Sequence, residues 1–249
     1  MASTPNLQLP TPDTRGPTAT GGTARLGVGV WALGIAIGAL LFVMTPRMIA
    51  LAPYESTMGL VQKIFYYHAP SGITMFLSAF VAGIAGLLYI FKRQPRYDRM
   101  CLAASELTVL FGAMVLITGP LWARKAWGVW WDWDARLTSS LLLWMMFVAC
   151  LLVRRYGGPG GERLGAAIAA FGMVNVPFVY VSVNIWRTLH PKTTVVPSLA
   201  PGMRGVFWIC TLGFVVLYTL LLTTRARLER QRAMAEDLHL ALEERSTQS

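Results

Sequence analysis

Residues 71–91 read SGITMFLSAFVAGIAGLLYIF, a stretch with no charged side chain and long enough to cross a bilayer as a single helix. A hydrocarbon core about 30 Å thick takes roughly 20 helical residues at a rise of about 1.5 Å each. Five further stretches share this character, at 26–45, 100–121, 138–153, 164–185 and 205–224. The fourth is short and starts inside the Trp-rich segment before it. Six such spans describe an all-α integral membrane protein, and an even number places both termini on one side.

Composition agrees with the spans. Of 249 residues, 55% are hydrophobic and 14% charged, and the mean hydropathy of +0.50 leaves too little polar chain for a large extramembrane enzyme domain. The net charge of +10 flanks the spans, which argues against a nucleic-acid partner. With both termini cytoplasmic, the inner segments hold 14 Lys and Arg and the outer loops eight, in keeping with the positive-inside rule. The outer cations, among them Arg124, Lys125, Arg136, Arg187 and Lys192, exceed what orientation requires and call for a partner of their own. Cys101, Cys150 and Cys210 lie in apolar runs without a CxxC spacing, so packing is their expected role.

Outside the membrane domain at 26–224 lie two segments of different character. Residues 1–25, rich in Thr, Pro and Gly, read as a disordered cytoplasmic arm ahead of an uncleaved first helix. Residues 225–249 mix both charge signs with Leu228, Met234, Leu238 and Leu242 at helical spacing, which suits a cytoplasmic amphipathic tail on the inner membrane surface, against a partner, or merely solvated.

The distinctive residues fall in the three outer loops. His68 stands in QKIFYYHAP at 62–70, His190 in NIWRTLHP at 184–191, and between them the loop at 122–138 contains WGVWWDWDARLT at 127–138. Trp residues ordinarily anchor at membrane interfaces, but four within seven positions exceed that role. A helical reading of the segment puts Trp127, Trp130, Trp131 and Asp134 on one face and turns Trp133 toward lipid. Rigid aromatic planes beside Arg124, Lys125 and Arg136 suit a large, flat, amphipathic anion. Two imidazoles from separate segments meet what the two faces of a planar iron macrocycle demand, with Arg136 and Arg187 first among the cations for its acidic groups. On this chemistry alone haem stands beside a quinone or a lipid headgroup.

The segment WGVWWDWDARLT resembles the tryptophan-rich WWD signature of the haem-handling proteins of cytochrome c biogenesis. The six spans, KIFYYHAP and VNVPFVYVSVNIWRTLHP extend the similarity over about 26–224, and the short chain is most similar to the CcmC family rather than to the larger CcmF, CcsA and NrfE-type relatives. The resemblance implies haem b held non-covalently at the periplasmic face of the bacterial inner membrane. It carries the platform onto Trp127, Gly128, Trp130, Trp131, Trp133 and Asp134 and the axial iron ligands onto His68 and His190, beside which Arg136 and Arg187 stay the propionate cations that the chemistry alone suggests. It also implies presentation of haem to the chaperone CcmE and assembly with CcmA, CcmB and CcmD in an ABC transporter complex. Asp132 departs from the family pattern, which has an apolar residue there, so Asp134 is taken as the motif carboxylate. The arm and the tail lie outside the resemblance.

Other features have structural readings. Glu106, on the inner half of span three, is expected to join helices or meet a partner subunit, Asn175 and Asn184 to bond between helices, and Pro177 to kink span five. Two other function classes stay open. A b-type haem subunit oxidising quinol needs a second cofactor, for which no span supplies a histidine, and a haem-free structural subunit of a transporter would use the Trp loop for a protein partner. With no P-loop, ATP use belongs to another chain.

Overall fold

The computed structural model describes residues 21–54 and 58–248, with side chains at 31–54 and 58–247. Six helices, α1 (Gly21–Leu51), α2 (Phe65–Lys92), α3 (Pro95–Trp127), α4 (Ala135–Tyr156), α5 (Gly161–Ile185) and α6 (Pro201–Gln248), are each long and apolar enough to cross a membrane. A short 3-10 turn at Leu60–Ile64 leads into α2, and no strand occurs among the described residues.

Helix ends follow local chemistry. Pro95 opens α3 at a position where its missing N–H costs nothing, and Arg93 closes α2 in the left-handed region with its N–H on the Tyr89 carbonyl. Asp134 caps α4 by accepting the Leu137 N–H at 2.7 Å. Gly128 ends α3 at φ 79°, a conformation that favours glycine.

Helix α2 packs against α3, α5 and α6, while α4 packs on α5 and α3, and α1 rests mainly on α6. Close approach depends on small residues, as expected where lipid gives no hydrophobic drive for association. A methyl group added at Gly86 would sit 2.7 Å from the Ala166 carbonyl of α5, and one at Gly112 would sit 2.6 Å from Trp144 of α4. Met75, Ala79, Ala82, Phe111, Leu143, Phe147 and Val179 fill the core, with Cys101 and Cys150 buried among them as packing residues and Cys210 buried in a second cluster near the cavity.

The bundle is also pinned by charge at the end far from the Trp loop. Arg154 of α4 grips Asp98 of α3 through two contacts of 2.8 Å. Glu106 of α3 pairs with Arg225 of α6 at 2.5 Å, so its role is to join two helices. Asn175 bonds the Ser139 carbonyl of α4 at 3.3 Å, whereas Asn184 turns not to another helix but to Thr193 in the following loop at 3.2 Å.

Several expected boundaries move. The arm expected at 1–25 falls largely on residues 1–20, outside the described residues, and α1 begins at Gly21. The tail is helical and continues α6 without a break to Gln248, since no Gly or Pro interrupts 225–248 and the i,i+4 pairs Arg225–Glu229, Arg232–Glu236 and His239–Glu243 support it. Helix α2 begins several residues before the expected span, which places His68 inside a helix rather than in an outer loop.

Candidate functional site

At one end of the bundle a cavity of about 470 Å³ opens between α2, α3, α4, α5 and α6 and the loop at 186–200. His68 enters its wall from the first turn of α2, three residues past the buried Phe65. His190 enters from the loop. Their ring centroids lie 6.3 Å apart with the planes inclined at 43°. Two imidazoles bound end-on across one metal, at about 2 Å per bond, set their centroids roughly 6 Å apart once the rings' own size is added.

The hydrogen-bond partners assign the proton on each ring. His190 Nδ1 lies 2.9 Å from the Pro191 carbonyl, which only accepts, so Nδ1 carries the proton and Nε2 keeps its lone pair. His68 Nδ1 lies 2.9 Å from Thr118 Oγ1, and the Thr118 hydroxyl donates its own proton to the Met114 carbonyl at 2.6 Å. Thr118 therefore accepts from His68, and Nε2 is again the open nitrogen. Burial, reinforced by the Arg136 guanidinium, lowers the His190 pKa to about 4, so this imidazole is neutral at physiological pH. Gly119 gives the His68 ring its room, since a methyl group there would lie 3.3 Å from Cε1.

The aromatic wall differs from the helical arrangement considered for the Trp segment. Helix α3 continues to Trp127, the chain from 128 to 134 is non-helical, and α4 takes over at Ala135, so the loop expected at 122–138 shrinks to 128–134. Gly128 in the left-handed region and Asp134 as a helix cap prevent one continuous helix. Trp127 and Trp131 line the cavity, whereas Trp130 and Trp133 lie outside it, 57% and 74% exposed. Gly128, Asp134 and Arg187 are likewise outside the lining, and Arg136 is part of it, with its guanidinium on the Val179 carbonyl and 5.7 Å from the Phe76 ring.

Several wall residues escaped the sequence reading. Trp122 packs edge-on to His68 at 5.8 Å and stacks with Trp127 at 6.1 Å. Lys192 rather than Arg187 is the loop cation in the lining. The indole Nε1 atoms of Trp122 and Trp131 are buried without an acceptor. Buried donors of this kind ordinarily find partners, so the wall offers two N–H groups to an acceptor on a guest. An apolar cavity with two open imidazole nitrogens, two orphaned indole donors and two cations fits haem. A bare metal ion fits poorly, because no group of three or more His, Cys, Asp or Glu forms a metal cluster among the described residues.

A family model described as heme exporter protein C matches residues 22–240. The chain is 36% identical over 180 residues to heme exporter protein C of Bradyrhizobium diazoefficiens, covering 70% of this chain and 67% of the relative. Over 205 residues it is 31% identical to heme exporter protein C of Escherichia coli K12, covering 76% and 80% respectively. A putative cytochrome c biosynthesis ccmC-like mitochondrial protein of Marchantia polymorpha is 29% identical over 144 residues, covering 58% of this chain and 61% of the relative.

Proposed function

The chain belongs to the heme exporter protein C family, and from that premise we propose that it binds haem at the cavity and hands it to an acceptor protein during cytochrome c maturation. It is a multi-pass membrane protein whose family serves haem delivery. In this reading His68 and His190 are the axial ligands of a non-covalently held haem b. Trp122, Trp127 and Trp131 cover its apolar surface, and Arg136 and Lys192 meet its propionates. The observation that carries it is the pair of histidines whose rings lie 6.3 Å apart in the wall of an aromatic cavity, each with Nε2 open.

Haem is cargo here, so the chain must hold it without burying it beyond reach. The charge distribution supports placing the cavity at the periplasmic face of the inner membrane, with CcmE as the acceptor and CcmA, CcmB and CcmD as companion subunits. The exposed Trp130 and Trp133 lie beside the cavity on the loop that carries Trp131, where an acceptor would dock on large aromatic surfaces. A quinol-oxidising subunit gains no support. Although α2 does bring His68 into a span, the remaining histidine, His239, lies in the α6 extension, where no second haem partner accompanies it.

The test is the oxidised and reduced absorption spectrum of the detergent-purified protein, with haem per chain, beside the His68→Ala/His190→Ala double variant. A bis-imidazole spectrum near one haem per chain that collapses in the double variant is expected. An unchanged spectrum in that variant would overturn the reading.

A further inference from the structure

Asp134 belongs to the WWD motif, yet its carboxylate does not line the cavity, and the reason lies in its partners. Oδ1 accepts the Leu137 N–H as the cap of α4, and Oδ2 accepts the hydroxyl of Thr188. Thr188 Oγ1 in turn accepts the backbone N–H of His190 at 3.0 Å. A threonine has one hydroxyl proton, and giving it to the carboxylate fixes the oxygen as an acceptor toward His190. The two bonds thus run in one direction, from the His190 amide through Thr188 to Asp134.

This chain matters because of what else holds His190. Its ring bonds only to the carbonyl of Pro191, the next residue, which moves with it. Within 186–193, Thr193 ties the loop back to Asn184 of α5, its own preceding helix. Among the described residues, the Thr188–Asp134 bond is the one hydrogen bond from this stretch to an element other than its flanking helices. His68, by contrast, rides on α2 and is steadied by Thr118 of α3.

We propose that Thr188 is a positioning residue: it registers the His190 loop against the WWD carboxylate, so that the second axial ligand faces the first. The Trp loop and the His190 loop therefore move as one unit, and displacing the first releases the second. This deepens the haem-binding reading and rests on it.

The experiment uses the full chain in detergent, haem-free and reconstituted with hemin, in four forms: wild type, Thr188→Val, Thr188→Ser and His190→Ala. Thr188→Val, matched in shape but lacking the hydroxyl, is expected to bind hemin about ten- to a hundredfold more weakly, the range for lost supporting bonds to a metal-bound histidine. Its spectrum shifts from low spin toward a mixed-spin form that added imidazole restores, while Thr188→Ser keeps the wild-type spectrum. In the haem-free protein, hydrogen exchange across 186–193 speeds up in Thr188→Val and not in Thr188→Ser. Should the valine variant fail to insert, Thr188→Ala removes the same hydroxyl. Wild-type spectrum and exchange in the hydroxyl-free variant, with His190→Ala losing the low-spin form, would overturn the positioning role and leave the haem site standing. A wild-type spectrum in His190→Ala would instead overturn the haem reading itself.

Discussion

The rings of His68 and His190 lie 6.3 Å apart on unlike mounts, one in the first turn of α2 and the other in the loop after α5. The sequence suggested two loop ligands. If the two histidines hold haem as proposed, one ligand sits in a packed helix and release is one-sided, because a loop opens locally at far lower free energy than a helix within a core.

The two histidines should therefore fail differently. His190→Ala is expected to retain haem in a five-coordinate, high-spin form, since the helix-borne ligand remains. His68→Ala is expected to lose most of its haem on purification. Equal retention in the two variants, measured as haem per chain, would contradict the asymmetry.

Thr118 should matter without touching the guest. It accepts the Nδ1 proton of His68 at 2.9 Å because its own proton is committed to Met114. Thr118→Val removes that acceptor and should weaken hemin binding about ten- to a hundredfold, whereas Thr118→Ser restores it. Hemin titrations that give the same affinity for Thr118→Val and wild type would show the acceptor to be dispensable.

Acid should destabilise the haem-free protein through His190. Burial, then Arg136, hold its folded-state pKa down at about 4, while the unfolded chain takes the proton around the ordinary imidazole value of 6.5. Between those values the unfolded state binds more protons, so stability falls as pH drops from about 6.5 toward about 4 and levels off below. In His190→Gln that part of the slope disappears. Thermal unfolding of the two proteins between pH 7.5 and 4.5 is the check, and parallel profiles would refute it.

The Asp98–Arg154 pair gives a prediction about the fold alone. Its Arg154 side chain is 7% exposed and grips both carboxylate oxygens at 2.8 Å. Asp98→Ala leaves a buried cation without its counter-ion and should cost about 3–5 kcal/mol, whereas replacing both residues with apolar ones of similar volume should recover most of the loss. Unfolding of both variants in mixed micelles decides this, and a stable single variant would show that Arg154 finds water.

How far the sequence spoke depended on the range of the signal. Hydrophobic runs located all six helices, because a span must be apolar along its whole length, but they missed the first turns of α2, where Phe65, Tyr66 and His68 are helical on account of packing. Trp127 and Trp131 could be named as wall residues from their clustering, yet their separation from Trp130 and Trp133 depended on Gly128 and Asp134 breaking the helix. Thr118 and Thr188 left no trace in the sequence, since a hydroxyl that supports a histidine 50 residues away, or a carboxylate 54 away, looks like any other threonine. Trp122 was hidden for the same reason, as one tryptophan at the end of an apolar run.

The loop cations offer the sharpest contrast between pattern and geometry. Arg187 is adjacent to Thr188 in the loop but exposed and outside the cavity, while Lys192 lies in its lining. A charge-assisted hydrogen bond contributes about 1.5–3 kcal/mol, or roughly ten- to a hundredfold in affinity. Lys192→Ala should therefore weaken hemin binding within that range and leave binding of the uncharged hemin dimethyl ester nearly unaffected, because the ester has no carboxylate to lose. Arg187→Ala should change neither. If Arg187→Ala instead discriminates between the acid and the ester while Lys192→Ala does not, the propionates face the outer side of the loop, and the seat of haem is shallower than the cavity.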